Sequence, residues 1–333
     1  MKSVVIYTYY MSPSSDYNLS FFVKTELTYK ENIDYIIVIN GHKYNKTICF
    51  PILDNLKIIK RENKGFDFGG HKSALEYIDN EKKEYDYYFF MNSGVVGPIL
   101  PHYFTGSWLN IFIKKINDKV KLVGTTIACL PHDDLGGYGP KVEGFFFMTD
   151  KIGLSLLKNW NKGKKGLFNY KDYLEIYPDL NHLNLDQARL HFENHGKKEG
   201  RMGHKPPIFY NHSTKISAII YGEYALSKCI LENGYTIDCM IPKYQKTDWL
   251  NINNHSLNKN KHPSRKNSFY GNSINPYDVV FHKWHWHGEP KVNFEIIQQY
   301  IDGKTLKKEH LGRSKLPDEQ WRVVEKNEKK NRC

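Results

Sequence analysis

The chain has 333 residues, 40% hydrophobic and 25% charged, with a formal net charge of +12. This length supports one large α/β domain with additions or two modest domains, and an aromatic content of 14% with 24 Tyr excludes bulk disorder. The basic balance favours anionic partners such as nucleotide diphosphates, nucleic acid or an anionic membrane surface, and says nothing about fold.

Five cysteines, an odd number without a CxxC pair, form neither a disulfide framework nor a thiolate zinc site and fit a reducing compartment. The N-terminal VVIYTYY is too short for a secretory h-region, and no run approaches the roughly 18 apolar residues of a membrane span. The expectation is a soluble, cytoplasmic protein, or one only peripherally attached to a membrane, without an integral membrane segment. The basic runs Lys304–Lys308 and Lys326–Lys330 read as solvated faces.

In chain order, Ser3–Tyr10 is a β-branched and aromatic strand, followed by MSPSSD with Asp16 as cap of a helix over Tyr17–Tyr29. Asp34–Asn40 is a second buried strand and Leu56–Arg61 a weaker third. A Gly-rich turn leads into a helix over Gly70–Glu81 and then a strand over Tyr85–Met91, ending in the polar corner Asn92-Ser93-Gly94. A helix over Trp108–Ile116, strands over Lys121–Ala128 and Val142–Met148, and a helix over Lys151–Trp160 capped by Thr149-Asp150 continue the alternation. Phe168–Gly203 breaks it as a small insert of two short helices ending at Gly196 and Gly200. A helix over Ser213–Asn233, closed by Gly234, a strand over Tyr235–Ile241, a loop over Asn251–Ser268 and a last strand over Asp278–Trp286 complete the pattern. Beyond about Leu306 the chain is a charged tail. Near-continuous apolar strands alternating with helices predict an α/β fold around a mostly parallel sheet covered on both faces.

Ligands in such sheets sit at the carboxyl ends of strands. Two polar corners, at residues 63–70 and 92–94, therefore sketch one site. In Asn63-Lys64-Gly65-Phe66-Asp67-Phe68-Gly69-Gly70 the glycines permit close backbone approach, and the following helix start offers amides to a phosphate. Asp67 either accepts hydrogen bonds from a ribose or uracil N–H, with Lys72 beside a diphosphate, or merely caps the helix in a strand–helix turn. Oxygen-bearing side chains at a strand end suit a divalent cation, but hard cations want carboxylates and positions 92 to 94 have none. Glu223, just after Gly222, is placed to act as a general base, while Glu143 and Asp248 are acids near strand ends. For each of these acids the alternative is a solvated group or a helix-dipole partner. His282, His285 and His287 lack the spacing of a structural zinc site, although one of them can ligate a cation or touch a diphosphate. Trp249, Trp284 and Trp286 are core residues or, for one of the three, a sugar-stacking face.

These blocks resemble GT-A glycosyltransferases of the rhamnan-synthesis-F-like type, a group found in large DNA viruses and bacteria. The resemblance rests on RENKGFDFGG, YDYYFFMNSGVVGPILP, LVGTTI and VEGFFFMTDKIGLSLL, with a looser match of GEYALSKCILENGYTI to the acid–helix–Gly-Tyr block of inverting family-2 enzymes. It covers about Met1–Trp286 outside the insert, and the insert itself resembles a small module that accompanies some glycosyltransferases. It implies a nucleotide-sugar-binding part at 1–167, a helical insert at 168–204, an acceptor side at 205–303 and a tail at 304–333.

The implied donor is a UDP- or dTDP-sugar. Its nucleoside lies near Thr8 and Tyr10 and pairs near Asn63 and Asp67, with Gly69, Gly70, Lys72, Asn92 and Ser93 completing the pocket. Glu223 is the implied base toward a glycan hydroxyl in an inverting transfer, with Glu143, Asp248 and Trp284 on the acceptor or sugar side. Related enzymes carry an acid where this chain has Met91-Asn92-Ser93; a Mn or Mg ion, if bound, would sit near Asn92 and His282. The rival readings are a nucleotidyltransferase, an inactive nucleotide-sugar-binding homologue and a basic binding protein. No nucleic-acid motif supports the last of these.

Overall fold

The computed structural model describes residues 1–101, 103–161, 168–284 and 293–297. Its elements run β1 (Ser3–Tyr10), α1 (Pro13–Glu26), β2 (Ile33–Asn40), β3 (Leu56–Arg61), α2 (Phe66–Asn80), β4 (Tyr87–Asn92), β5 (Val95–Val96) and α3 (Trp108–Ile113). They continue through β6 (Val120–Gly124), β7 (Ile127–Leu130), β8 (Gly139–Val142), β9 (Phe146–Asp150), α4 (Lys151–Asn159), α5 (Tyr170–Ile176) and α6 (Leu185–His191). The last are α7 (Lys215–Ser217), α8 (Tyr224–Glu232), β10 (Thr236–Cys239), α9 (Pro276–Val279) and β11 (His282–Lys283).

Seven strands form the central sheet in the order β10-β6-β9-β4-β1-β2-β3. Every neighbouring pair is parallel except those made by β9, which runs against both β4 and β6. This is the expected α/β architecture with a mostly parallel mixed sheet and flanking helices. Two small antiparallel pairs, β7 with β8 and β11 with β5, stand beside it.

The Phe-Phe pairs of β4 and β9 explain why both faces are covered. Successive strand residues point to opposite faces, so Phe90 and Phe147 stack at 4.7 Å on one face, where His71 of α2 meets Phe90 at 5.2 Å. On the other face Phe89 meets Trp108 of α3 at 5.3 Å, and Phe112 meets Phe146 at 4.7 Å. Each such aromatic pair adds about 0.5–1.5 kcal/mol beyond the area it buries.

Several expected boundaries shift for local reasons. Ser12, not Asp16, caps α1: its hydroxyl accepts from the Ser15 amide at 3.2 Å and Pro13 opens the helix, while Asp16 takes the Tyr9 hydroxyl. The run expected as one strand over Lys121–Ala128 breaks at Thr125-Thr126 into β6 and β7, which belong to different sheets. Val142–Met148 likewise divides at Glu143-Gly144-Phe145 into β8 and β9. The expected helix over Ser213–Asn233 is one helical run with a π-helical stretch, Ala218–Glu223, at its middle. Gly234 at φ +79° follows it as expected. The strand expected over Asp278–Trp286 shrinks to His282–Lys283, because Pro276 starts a helical turn and Val280 takes φ +64°. The charged tail, its basic runs, and His285, Trp286 and His287 lie outside the described residues.

The insert has its own small core of Tyr173, Leu180, Ala188 and Phe192. Its first helix stops at Ile176 ahead of Pro178, and Gly200 lies in a turn beyond the second. The Asn169 amide donates to the Gly203 carbonyl at 2.7 Å, so the insert leaves and rejoins the main body at one place.

Candidate functional site

The carboxyl ends of β1, β2 and β4 lie side by side, with Thr8 opposite Asn92 and Tyr10 opposite Asn40. The Gly-rich turn packs against this rim, held by Arg61. One guanidinium nitrogen donates to Asn40 Oδ1 at 2.8 Å; the other donates to the Lys64 carbonyl at 2.7 Å and to Asn211 Oδ1 at 2.9 Å. Gly65 begins α2 at φ +76°, and a Cβ there would stand 2.3 Å from Asn211 Cα. A Cβ on Gly69 would lie 2.1 Å from the Lys64 carbonyl, and one on Gly70 2.5 Å from Thr8 Cγ2.

The close approach these glycines permit is therefore to the protein itself. Gly69 packs on Lys64 and Asn211, and Gly70 seats the start of α2 on Thr8 of β1. Thr8 is also inside: it is 1% exposed, with its hydroxyl 3.0 Å from His71 Nδ1. Burial lowers the pKa of His71 to about 3, so that ring is neutral at physiological pH.

What faces outward is a different subset. Tyr10 is 53% exposed at the tip of β1. Its ring borders Gly41, and Gly41 borders Asn63. Asp67 does not cap α2. It lies in the first turn, where its Oδ2 accepts from the Asn92 amide at 2.7 Å. Asn92 Oδ1 in turn accepts from the Gly94 amide at 2.8 Å. Burial raises the Asp67 pKa, opposed by the Asn92 hydrogen bond and the charge of Lys283. Ser93 is buried, its amide donating to the Thr8 carbonyl at 3.0 Å. Lys72 is ion-paired with Glu76 one turn along α2.

The reversed β9 brings more groups to this rim. Its approach, Glu143-Gly144-Phe145, meets the end of β4 where the Asn92 amide donates to the Phe145 carbonyl at 3.0 Å. Glu223 Oε1 accepts from the Gly144 amide at 2.9 Å. A Cβ on Gly144 would stand 2.7 Å from Glu223 Cγ, so the acid lies flat on the backbone there. Burial raises the Glu223 pKa and the nearby Glu143 adds to it, while Gly144, Lys283 and His262 oppose the rise. Glu143 is 2% exposed and fully engaged. Thr126 donates to one oxygen at 2.6 Å, and Ser264 at 2.8 Å and His262 Nδ1 at 3.0 Å meet the other. Burial alone would raise its pKa, but the His262 hydrogen bond, the charges of Lys283 and His262 and the Thr126 hydroxyl hold it down at about 2.

Lys283 is the site residue that sequence reading missed. Its charge acts on Asp67, Glu143 and Glu223 alike. Its ammonium lies 5.1 Å from the centre of the Phe145 ring. In FHKWHWHG the histidines and tryptophans drew attention, yet strand alternation turns Lys283 to the rim and its two neighbours inward. His282 is 4% exposed, with Nδ1 2.8 Å from the Lys283 carbonyl. Trp284 is 2% exposed in a cluster with Tyr17, Phe21, Val96 and Ile99, a core residue and not a sugar platform. Asp248 is exposed and caps a turn by accepting from the Leu250 amide at 3.0 Å.

A divalent cation does not suit these donors. Both halves of the Asn92 amide are engaged, His282 faces inward, and an ammonium group already stands among the carboxylates. Among the described residues no three His, Cys, Asp or Glu side chains gather as metal ligands.

Residues 37–110 match the family described as Rhamnan synthesis protein F. That stretch runs from β2 through Asp67 and Asn92 into α3. No curated protein matches the chain. Among solved structures the chain is similar to the mannosyltransferase PcManGT from Pyrobaculum calidifontis, in complex with GDP-Man and Mn2+, with 10% identity and a TM-score of 0.38. The match covers 72% of this chain and 54% of that one, so the chain spans about half the length of that enzyme. Among the described residues no helix is long and apolar enough to cross a membrane.

Proposed function

We propose that the protein is a glycosyltransferase of the GT-A type. In this reading it moves a sugar from a UDP- or dTDP-sugar to a glycan hydroxyl with inversion, and Glu223 is the general base. The observation that carries this reading is that one rim holds two carboxylates whose pKa burial raises but which are held by different partners. Asp67 is tied to Asn92, while Glu223 rests on the Gly144 amide with a raised pKa and no fixed cation of its own. A base that must take a proton from a hydroxyl benefits from that raised affinity. The family match over residues 37–110 supports the nucleotide-sugar side of the reading.

The nucleoside lies against the exposed Tyr10 ring beside Gly41 and Asn63, and the free oxygen of Asp67 accepts from its ribose or base. Lys283 then offsets the charge that develops on the departing diphosphate, a role that a preorganised ammonium fills without reorganisation. Glu223 deprotonates the acceptor hydroxyl, which attacks the anomeric carbon from the face opposite the leaving group. One bond forms, the glycosyl–phosphate bond breaks, and the proton ends on Glu223.

Calorimetry with UDP-, dTDP- and GDP-sugars, with and without Mn2+, tests the reading. Binding of one nucleotide class without a metal requirement, and turnover lost in Glu223→Gln, is the expected result. A protein that binds a donor yet shows no Glu223-dependent turnover is a nucleotide-sugar-binding homologue; silence across the panel removes the reading.

A further inference from the structure

A cavity of about 300 Å³ lies between the insert and the main body, away from the Asp67–Asn92 corner. The helical run through α8 gives it Tyr221, Tyr224 and Lys228, which share one face by their spacing of three and four. The far wall belongs to the insert, through Asp172 and Glu175 of α5, and Trp160 closes one side at the end of α4.

The lining carries two kinds of surface. Trp160, Tyr221 and Tyr224 contribute aromatic side chains, while the charges are mixed and pre-paired. Lys205 sits 2.6 Å from Glu175 and 3.8 Å from Asp172, and Lys228 sits 3.8 Å from Glu232. Three acids (Asp172, Glu175, Glu232) against two lysines (Lys205, Lys228) leave the lining near neutrality. An anionic ligand gains little there. A purely apolar ligand would strip water from these ion pairs and leave their remaining donors and acceptors unmet. A neutral polyhydroxyl compound satisfies both, with C–H faces on the rings and hydroxyls on the carboxylates and ammonium groups.

Glu223 lies in the same helical turn, between Tyr221 and Tyr224, but faces Gly144. The cavity and the base thus sit on two sides of one turn. We propose that this cavity binds sugar units of a neutral glycan acceptor, distal to the hydroxyl that faces Glu223, and that the insert exists to supply its outer wall. The word acceptor rests on the transferase reading; the neutral-glycan site does not.

The test uses the full chain with neutral gluco-, manno- and rhamno-oligosaccharides and with uronic-acid oligosaccharides as probes, read by saturation-transfer NMR and calorimetry. A neutral series binds, and Trp160→Ala weakens it by at least about tenfold. Where Trp160→Ala lowers the thermal midpoint, Glu175→Gln keeps the test open, because an exposed carboxylate is replaced by its isostere and a several-fold loss is still expected. Equal affinity in wild type and both variants, binding of the acidic series alone, or no oligosaccharide binding overturns the proposal. Nucleotide-sugar binding measured in parallel separates the two readings. Oligosaccharide binding without donor binding sinks the transferase and leaves the cavity as a glycan site, and donor binding without oligosaccharide binding does the reverse.

Discussion

The side-chain amide of Asn92 donates to the Asp67 carboxylate at 2.7 Å and so ties the end of β4 to the first turn of α2. Its oxygen at the same time accepts from the Gly94 amide. An aspartate at position 92 would keep the second bond and turn the first into a repulsion. Asn92→Asp is expected to lose about 1–3 kcal/mol at neutral pH. Like charges raise the folded-state pKa of the pair, so the deficit grows as pH rises from 4 to 7. Added Mn2+ should narrow it, because the corner then offers anionic oxygens. Thermal melts across pH, with and without the ion, show whether the deficit exists and follows this course.

Glu223→Gln is expected to keep donor affinity and lower kcat by about 10²–10⁴-fold. The wild-type rate should rise with pH through a midpoint above the ordinary carboxyl value of 4.5, because burial raises the pKa and only the ionised form is a base. A pH–rate profile already flat at pH 5 would argue against that assignment.

Lys283→Met removes the positive charge shared by Asp67, Glu143 and Glu223. Diphosphate binding should weaken about tenfold by calorimetry. The acid limb of the rate should move to higher pH, since an opposite charge that lowered the Glu223 pKa is gone. Lys283→Arg should recover part of both effects. A variant with unchanged nucleotide affinity would remove Lys283 from the site.

Glu143→Ala leaves Thr126, His262 and Ser264 without their shared acceptor and is expected to cost about 2–4 kcal/mol in urea denaturation at pH 7. The folded-state pKa is held at about 2, below the ordinary 4.5. The wild-type contribution is therefore complete above about 4.5 and is lost as pH falls toward 2, so the gap between the proteins should close on acidification.

Gly65→Ala and Gly137→Ala separate backbone strain from collision. Both glycines have positive φ, +76° and +78°, but a Cβ at 65 meets Asn211 Cα at 2.3 Å whereas nothing lies within 4 Å at 137. The second substitution should cost about 1–2 kcal/mol from conformation alone. The first should exceed it by about 1–3 kcal/mol. Equal urea midpoints would mean that the Asn211 segment yields freely.

The sheet was largely legible because its central strands are dense runs of β-branched and aromatic residues, as in β1, while β3, with only Ile58 and Ile59 among basic residues, was the weaker signal. The divisions at Thr125-Thr126 and Glu143-Gly144-Phe145 were not, since neither carries a proline or a turn pair, and the chain changes sheets there through tertiary pairing. The glycine block announced a close approach without saying to what, and the partners proved to be Thr8, Lys64 and Asn211. Glu143 was visible as an acid, but His262 and Ser264 reach it across 119 and 121 residues from a loop without periodicity. Lys283 was hidden by its neighbours. Its role follows from a two-residue pairing with Val95 and Val96 that fixes which side chains turn outward.

The reversed direction of β9 has a consequence for how such a site can vary. A sheet whose strands all ran one way would offer only departing chain at this rim. With β9 inverted, an arriving segment stands directly beside a departing one, Phe146 opposite Met91. Adjacent strands are spaced by about 4.8 Å. The separation between the Asp67–Asn92 corner and the backbone that cradles Glu223 is therefore set by the lattice of the sheet. Loops and inserts around the rim are free to vary, while the distance across it stays constant.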